Sequence, residues 1–278
     1  MAINLHKRYS DQLAKLYTAN SFVEGRTNKT WSFSGFKSVL IPSITTQPLG
    51  NYTRSGTSRY GTPADLQDTV QELTMTQDKA FAIVIDKGDN SEQQMMKRAG
   101  EVMQQQIREQ VTPTIDKYAL NAWASHTGIG SGSGTLTSDT VAGFVLDAEI
   151  YMNDYFVPEE DRYLCISNAA FKHLRMAAEW AGCDSVIEKM MIKSGKGYRG
   201  DFSSFHVITV PASFLPEGVD FLAFQKNSVI LAQKMRDGKI HQDPPGISGH
   251  LLEGRYNYDA FVVDTLKHGV YVHANENT

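Results

Sequence analysis

One apolar stripe between Asp89 and Thr127 restricts the fold more than anything else in the chain. Ala99, Met103, Ile107, Val111, Ile115, Ala119 and Ala122 recur every four residues or nearly so, the spacing of one face of an α-helix. Ser91 and Gln94 fit a capping box at its start, the hydroxyl serving one orphan amide and the side-chain amide another. Such a helix is roughly 55 Å long at 1.5 Å per residue, and a single stripe means a single buried face. Pro113 stands inside it. Proline has no amide hydrogen, so the Glu109 carbonyl loses its helical partner and the ring crowds that carbonyl. Val111 and Ile115 hold the same face on either side, so the expectation is a kinked helix with Pro113 as its hinge. The competing reading ends one helix at Val111 and starts a second, capped by Thr112, with Pro113 as its first residue. Gly128–Gly134 then reads as a flexible glycine–serine linker.

Upstream, Leu5, Tyr9, Leu13, Leu16 and Tyr17 predict a short amphipathic arm over residues 4–19, and Trp31 with Phe33 predicts a strand. Two extended stretches follow, Lys37–Ile44 and Val70–Asp86, the second with Phe81, Ile83 and Ile85 at period two. Between them, residues 45–65 hold Pro48, Gly50, Gly56, Gly61 and Pro63, and only Leu49, Tyr52 and Tyr60 offer much apolar surface. A long β-ribbon with such a tip cannot bury its end in its own domain and projects onto something else. Downstream, helices are expected at Asp139–Tyr155, Asn168–Trp180 and Val186–Ile192. Strands are expected at Arg162–Ile166, Phe205–Val210, Phe221–Phe224 and Val229–Leu231. Short pieces at Leu251-Leu252, Phe261-Val262-Val263 and Val270-Tyr271-Val272 complete the pattern. Helices and strands do not alternate regularly, so the class is α+β.

The residues give chemistry little support. A formal charge of -4, from 27 basic and 31 acidic residues, is not the basic surplus of a dedicated nucleic-acid binder. The longest basic run, Lys193–Arg199, is diluted by glycine and serine. Cys165 and Cys183 make no disulfide framework, and Cys165 reads as a small hydrophobe in a strand. Met1–Lys15 has no signal core and no run approaches a membrane span, so a reducing cytoplasm is expected. In Gly128–Gly134, Ser133 stands where a dinucleotide-binding loop needs its third glycine, and the run follows a helix rather than a strand. Gly195-Lys196-Gly197 lacks the spacing of a phosphate loop. The histidines form neither HExxH nor a Cys/His pair. Glu159-Glu160-Asp161 after Pro158 reads as a solvated turn, and Arg199-Gly200-Asp201 as a chance tripeptide. No catalytic, cofactor or metal site is expected.

The order of elements carries a resemblance. An arm, a long ribbon, a very long helix, a glycine break, a mixed body and returning strands resemble the major capsid proteins of tailed bacteriophages, which have the Hong Kong 97-type fold. Local phrases follow the same order. Leu73-Thr74-Met75-Thr76-Gln77-Asp78, through Phe81 to Asp86, is similar to the family's returning ribbon strand. Val157–Ser167 is similar to its A-domain turn and strand, Gly197–Pro211 to the segment beside the symmetry axes, and Gly254–Val262 with Gly269-Val270-Tyr271 to its C-terminal strands.

The resemblance implies an N-terminal arm over 1–36, an E-loop ribbon over 37–88 and a P-domain spine helix over 89–128. An A-domain over 129–220 and returning P- and A-domain strands over 221–278 complete it. The implied function is mechanical: copies close into hexamers and pentamers of an icosahedral or prolate shell around double-stranded DNA, held non-specifically. Implied partners are the chain itself and portal, scaffolding or decoration proteins, with no membrane and no cofactor. Assembly in the host cytoplasm would place the product in the virion capsid. The short stretch before the ribbon and the initial Met1 point to a chain without a removable scaffolding segment.

Subunit contacts are expected at the tip, through Tyr52, Arg54, Arg59 and Tyr60. Residues 45–64 contain those arginines and no acid, so their partners belong to an adjacent subunit. No lysine lies between Ile44 and Asp78, so the isopeptide link of some relatives is not expected. Three other readings compete: an encapsulin-like shell of a cellular nanocompartment, a hydrolase with a scattered site using Asp161 or His173, and a tail-tube or adhesion protein.

Overall fold

In the computed structural model of the chain, residues 21–31, 38–46, 48–57, 59–61, 65, 67–88, 99–177 and 198–275 are described. The arm over 4–19, Phe33, the capping box at Ser91, Cys183, the helix Val186–Ile192 and the lysines of the basic run lie outside them.

Stretches rich in β-branched residues make two strands, β1 (Ser38–Thr45) and β2 (Gln67–Thr74). They pair antiparallel along their whole length and, among the described residues, with no other strand. Side chains alternate across a strand, so the ribbon has two unlike faces. Ile41 and Leu73 are buried with Met75 against Ile230, Ala232 and Val263, whereas Leu40, Ile44 and Val70 on the other face are exposed. Trp31 joins the buried cluster but not as part of a strand. The Asn28 side chain accepts from the Thr30 amide at 2.8 Å and donates to the Asn227 carbonyl at 2.9 Å, which bends the chain there.

The stretch Val70–Asp86 is two strands, so the ribbon ends at Thr74 and not at residue 88. The Thr76 amide and hydroxyl both donate to Oδ2 of Asp259, at 2.7 and 2.9 Å. This turns β3 (Gln77–Asp86) into a different sheet.

The long helix follows as α1 (Ala99–Gln106), a π-helical turn over Ile107–Val111, and α2 (Thr112–Ala124). Gln106, Val111 and Thr112 all keep helical backbone angles, and Thr112 caps nothing. The helix is therefore continuous through Pro113. It also buries more than one stripe. Leu120 and Trp123 are as fully buried as Ala119, because α2 packs on two sheets at once.

The glycine–serine run is not a linker but β4 (Gly130–Ser133), paired parallel with the last strand. A Cβ at Gly130 would lie 2.5 Å from Tyr151, and one at Gly132 would lie 2.2 Å from the Tyr271 hydroxyl. The glycines thus admit aromatic rings against the backbone. Next come α3 (Val141–Asp154), β5 (Arg162–Ser167) and α4 (Asn168–Met176). Helix α4 stops short of Trp180 because Ala177 takes an extended backbone and turns into the core. The remaining strands are β6 (Tyr198–Phe202), β7 (Phe205–Val210), β8 (Val219–Gln225), β9 (Val229–Gln242), β10 (Gly249–Val262) and β11 (Val270–Ala274).

Two sheets organise these elements. The three-stranded sheet runs β3-β10-β9, with Phe81, Ile83, Ile85, Leu252 and Tyr256 against Met103, Ile107 and Ile115 of the long helix. The six-stranded sheet runs β4-β11-β8-β5-β7-β6. On one face Leu164, Ile166 and Phe221 meet Val145, Ala148 and Met152 of α3 and Leu174 of α4. On the other, Cys165, Leu222 and Phe224 meet Ala119, Leu120 and Trp123 of α2. Burial pushes the Cys165 thiol up to about 12, so it stays protonated packing material.

Candidate inter-subunit surface and spine hinge

The ribbon tip is held by few contacts of its own. Beyond the paired strands, the Thr53 amide donates to the Arg59 carbonyl at 3.0 Å, and Nε of Arg59 donates to the Gly56 carbonyl at 3.2 Å. The Tyr52 and Tyr60 rings meet edge to face at 5.1 Å, the one aromatic contact described in the tip. Leu49 and Tyr60 are almost wholly exposed, and Tyr52 half so. Among the described residues neither Arg54 nor Arg59 has a carboxylate partner. The tip therefore presents two aromatic rings, a leucine and two cations, and the first acid in the sequence beyond them is Asp65, also exposed.

The irregularity in the helix is local. In the π turn the Thr112 amide donates to the Ile107 carbonyl, five residues back. Pro113 comes immediately after, with no amide to give. The wider turn spreads the backbone where the ring would otherwise crowd it. The Thr114 hydroxyl donates to the Gln110 carbonyl at 2.6 Å, a back-bond that itself favours bending. Beside this turn lies a cleft of about 160 Å³ lined by Phe81, Val111, Ile115, Tyr256 and Tyr258.

Three buried polar groups brace this frame, and none was evident in the sequence. Asp259 is the meeting point of ribbon base, helix and sheet. Its Oδ2 takes Thr76, and its Oδ1 takes the Tyr118 hydroxyl at 2.8 Å and the Ala260 amide at 2.8 Å. Asp116 on α2 accepts from the Ser21 hydroxyl and the Phe22 amide, each at 2.7 Å, and so fixes where the N-terminal segment leaves the helix. It is only 2% exposed, and burial pushes its carboxyl up to about 6 against the opposing pull of those hydrogen bonds. Arg162, fully buried, donates to the Pro158 carbonyl at 2.9 Å, to Asn153 at 2.8 Å and to Ser204 at 3.1 Å. The only hint of Asp116 in sequence is an acid within the apolar face of a helix.

The acidic turn Glu159-Glu160-Asp161 holds no facing carboxylate pair. Asp161 is bound at 2.9 Å by Lys226, whose ammonium holds that carboxyl below the usual range. His173 lies apart from it on α4. Among the described residues no group of three His, Cys, Asp or Glu is placed to hold a metal, and no helix is long and apolar enough to cross a membrane.

Scanned against protein families, the chain matches none, and no curated protein matches it. Among solved structures it is similar along nearly its whole length to several phage proteins. A structure from Mycobacterium phage Che8 superposes with a TM-score of 0.74 at 16% identity, over 98% of this chain and 98% of that one. The mature capsid of bacteriophage PhiM1 gives 0.71 at 11%, over 99% and 94%. The capsid of cyanophage P-SCSP1u gives 0.70 at 15%, again over 99% and 94%. At such identities the likeness is one of backbone, and it extends from ribbon to last strand: the chain has the phage capsid fold, the α+β architecture of the Hong Kong 97 type.

Proposed function

We propose that this chain is the shell-building subunit of a tailed-phage capsid, with a structural rather than catalytic role. The observation that carries the reading is the ribbon. Among the described residues it is a two-stranded sheet paired with no other strand, apolar on its outer face at Leu40, Ile44 and Val70, and ending in an exposed aromatic and cationic tip. A two-stranded ribbon with open edges is marginal in water by itself. Its surface makes sense when neighbours cover it, as in an obligate assembly. Hexamers and pentamers of this chain would supply those neighbours, with DNA enclosed non-specifically. Portal, scaffolding or decoration proteins are the partners such a shell would need, and the host cytoplasm is where it would form. Pro113 and its π turn are proposed as the hinge by which the helix changes curvature when a shell expands. The cleft beside the turn gives that movement room.

Light scattering after size exclusion, followed by negative-stain microscopy, tests the proposal. Capsomers or closed shells are expected. A stable monomer near 30.9 kDa at every concentration would refute it. Nucleic acid rather than enzyme inside particles made in the native host distinguishes a virion shell from a cellular compartment.

A further inference from the structure

The outward side of α3 is built like an interface. Leu146, Asp147, Ile150 and Asp154 fall on one helical face, and all are exposed. The helix then ends in a motif that normally ends in glycine. The Val157 amide donates to the Met152 carbonyl at 2.9 Å and the Phe156 amide to the Asn153 carbonyl at 3.0 Å, with Phe156 at φ 55. That left-handed position favours glycine, and a large side chain there is strained. Yet Phe156 is 93% exposed, so its own chain gives the ring almost nothing in return.

Charge points the same way. From Thr127 to Asp161 there is no basic residue, while Asp147, Asp154, Glu159 and Glu160 are acidic, exposed and outside any ion pair among the described residues. The ribbon tip is the reverse, with Arg54, Arg59, two tyrosines and Leu49 but no acid over residues 45–64. Both surfaces are open in the same chain, so neither covers the other. We infer that the ribbon tip of one copy seats on the α3 face of a second copy. Tyr52 and Tyr60 lie against Ile150 and Phe156, and Arg54 and Arg59 against Asp147 and Asp154. Because the two surfaces differ, the contact is head-to-tail, the kind that closes into rings. This rests on the capsid reading and names its contact.

Charge exchange tests it. Arg54→Glu with Arg59→Glu, and separately Asp147→Lys with Asp154→Lys, should each lower the yield of shells by about tenfold or more. All four changes in one chain should restore most of that yield. Phe156→Gly should lower shell yield while leaving the thermal midpoint of the unassembled subunit at or above wild type, since glycine relieves the left-handed strain. Normal shells from both reversals and from Phe156→Gly would overturn the contact and leave the capsid reading intact. Failure of the fourfold variant to recover would overturn the pairing of these charges. Wild-type chain that forms no shell at all would remove both readings together.

Discussion

Replacing Asp116 by asparagine removes a charge from a site where the fold disfavours it. An unfolded aspartate titrates at 3.8, and burial moves the folded carboxyl up to about 6. The folded state therefore holds the proton more tightly. Stability from this group is fully present below the unfolded value and is lost as pH rises through the folded one. The gap of about two pH units corresponds to roughly 3 kcal/mol, and about 2 kcal/mol of it falls between about pH 4.5 and pH 7.5. Asparagine does not titrate. It also pairs less well: the Ser21 hydroxyl oxygen already accepts from the Val23 and Glu24 amides, leaving little room for a side-chain N–H. That defect costs about 1 kcal/mol at every pH. Urea unfolding of unassembled subunits at the two pH values is the assay. The stability of wild type minus variant should fall by about 2 kcal/mol from the lower pH to the higher. Subtracting the variant cancels the other titrating groups, including Asp161 with its lowered carboxyl. A difference that is the same at both pH values would show that Asp116 does not titrate as argued.

Gly132→Ala places a methyl group 2.2 Å from the Tyr271 hydroxyl and should destabilise by about 1–3 kcal/mol. Adding Tyr271→Phe removes that oxygen and should recover much of the loss in denaturant melts; simple additivity would refute the steric account. Pro113→Ala returns an amide to the helix, so the π turn should relax and the axis straighten. An unchanged axis in the variant's coordinates would acquit the proline. With no lysine between Ile44 and Asp78, boiled mature particles should run as monomer on a denaturing gel, without a ladder of linked species.

The elements that bury one strong pattern were legible in the sequence. Phe205–Val210 and the continuous helix through Pro113 are examples, the first a short apolar run rich in β-branched residues and the second an apolar stripe recurring every four residues. The β9–β10 hairpin was visible only in pieces. One face of its outer half carries Asp237, Lys239, Glu253 and Arg255, which dilute the apolar signal between Leu231 and Phe261. β4 was missed for the opposite reason, since its glycines have no side chains to show a period and are required by their neighbours' rings. The tip composition singled out Tyr52, Arg54, Arg59 and Tyr60, and the structure places all of them at the exposed end of the ribbon. The α3 face could not be read as exposed, because Leu146 and Ile150 look like core until the sheet is known to lie on the other side. Asp116 and Asp259 bond residues far away in the chain, and Arg162 reaches Ser204 as well as its near neighbours, which no local pattern reports.

Asp259 has a mechanical consequence. Thr76, which hangs from one carboxylate oxygen, is the second residue past the ribbon, and Tyr118, on the other, sits in the helix one turn beyond Pro113. A carboxylate is a rigid plane, so its two oxygens cannot move independently. The group acts as a crank joining two levers. Load applied at the far end of the ribbon reaches the helix across two hydrogen bonds, while the covalent route runs through every residue from Gln77 to Lys117. A neighbour seated on the tip, as proposed above, would through this group pull on the helix as well.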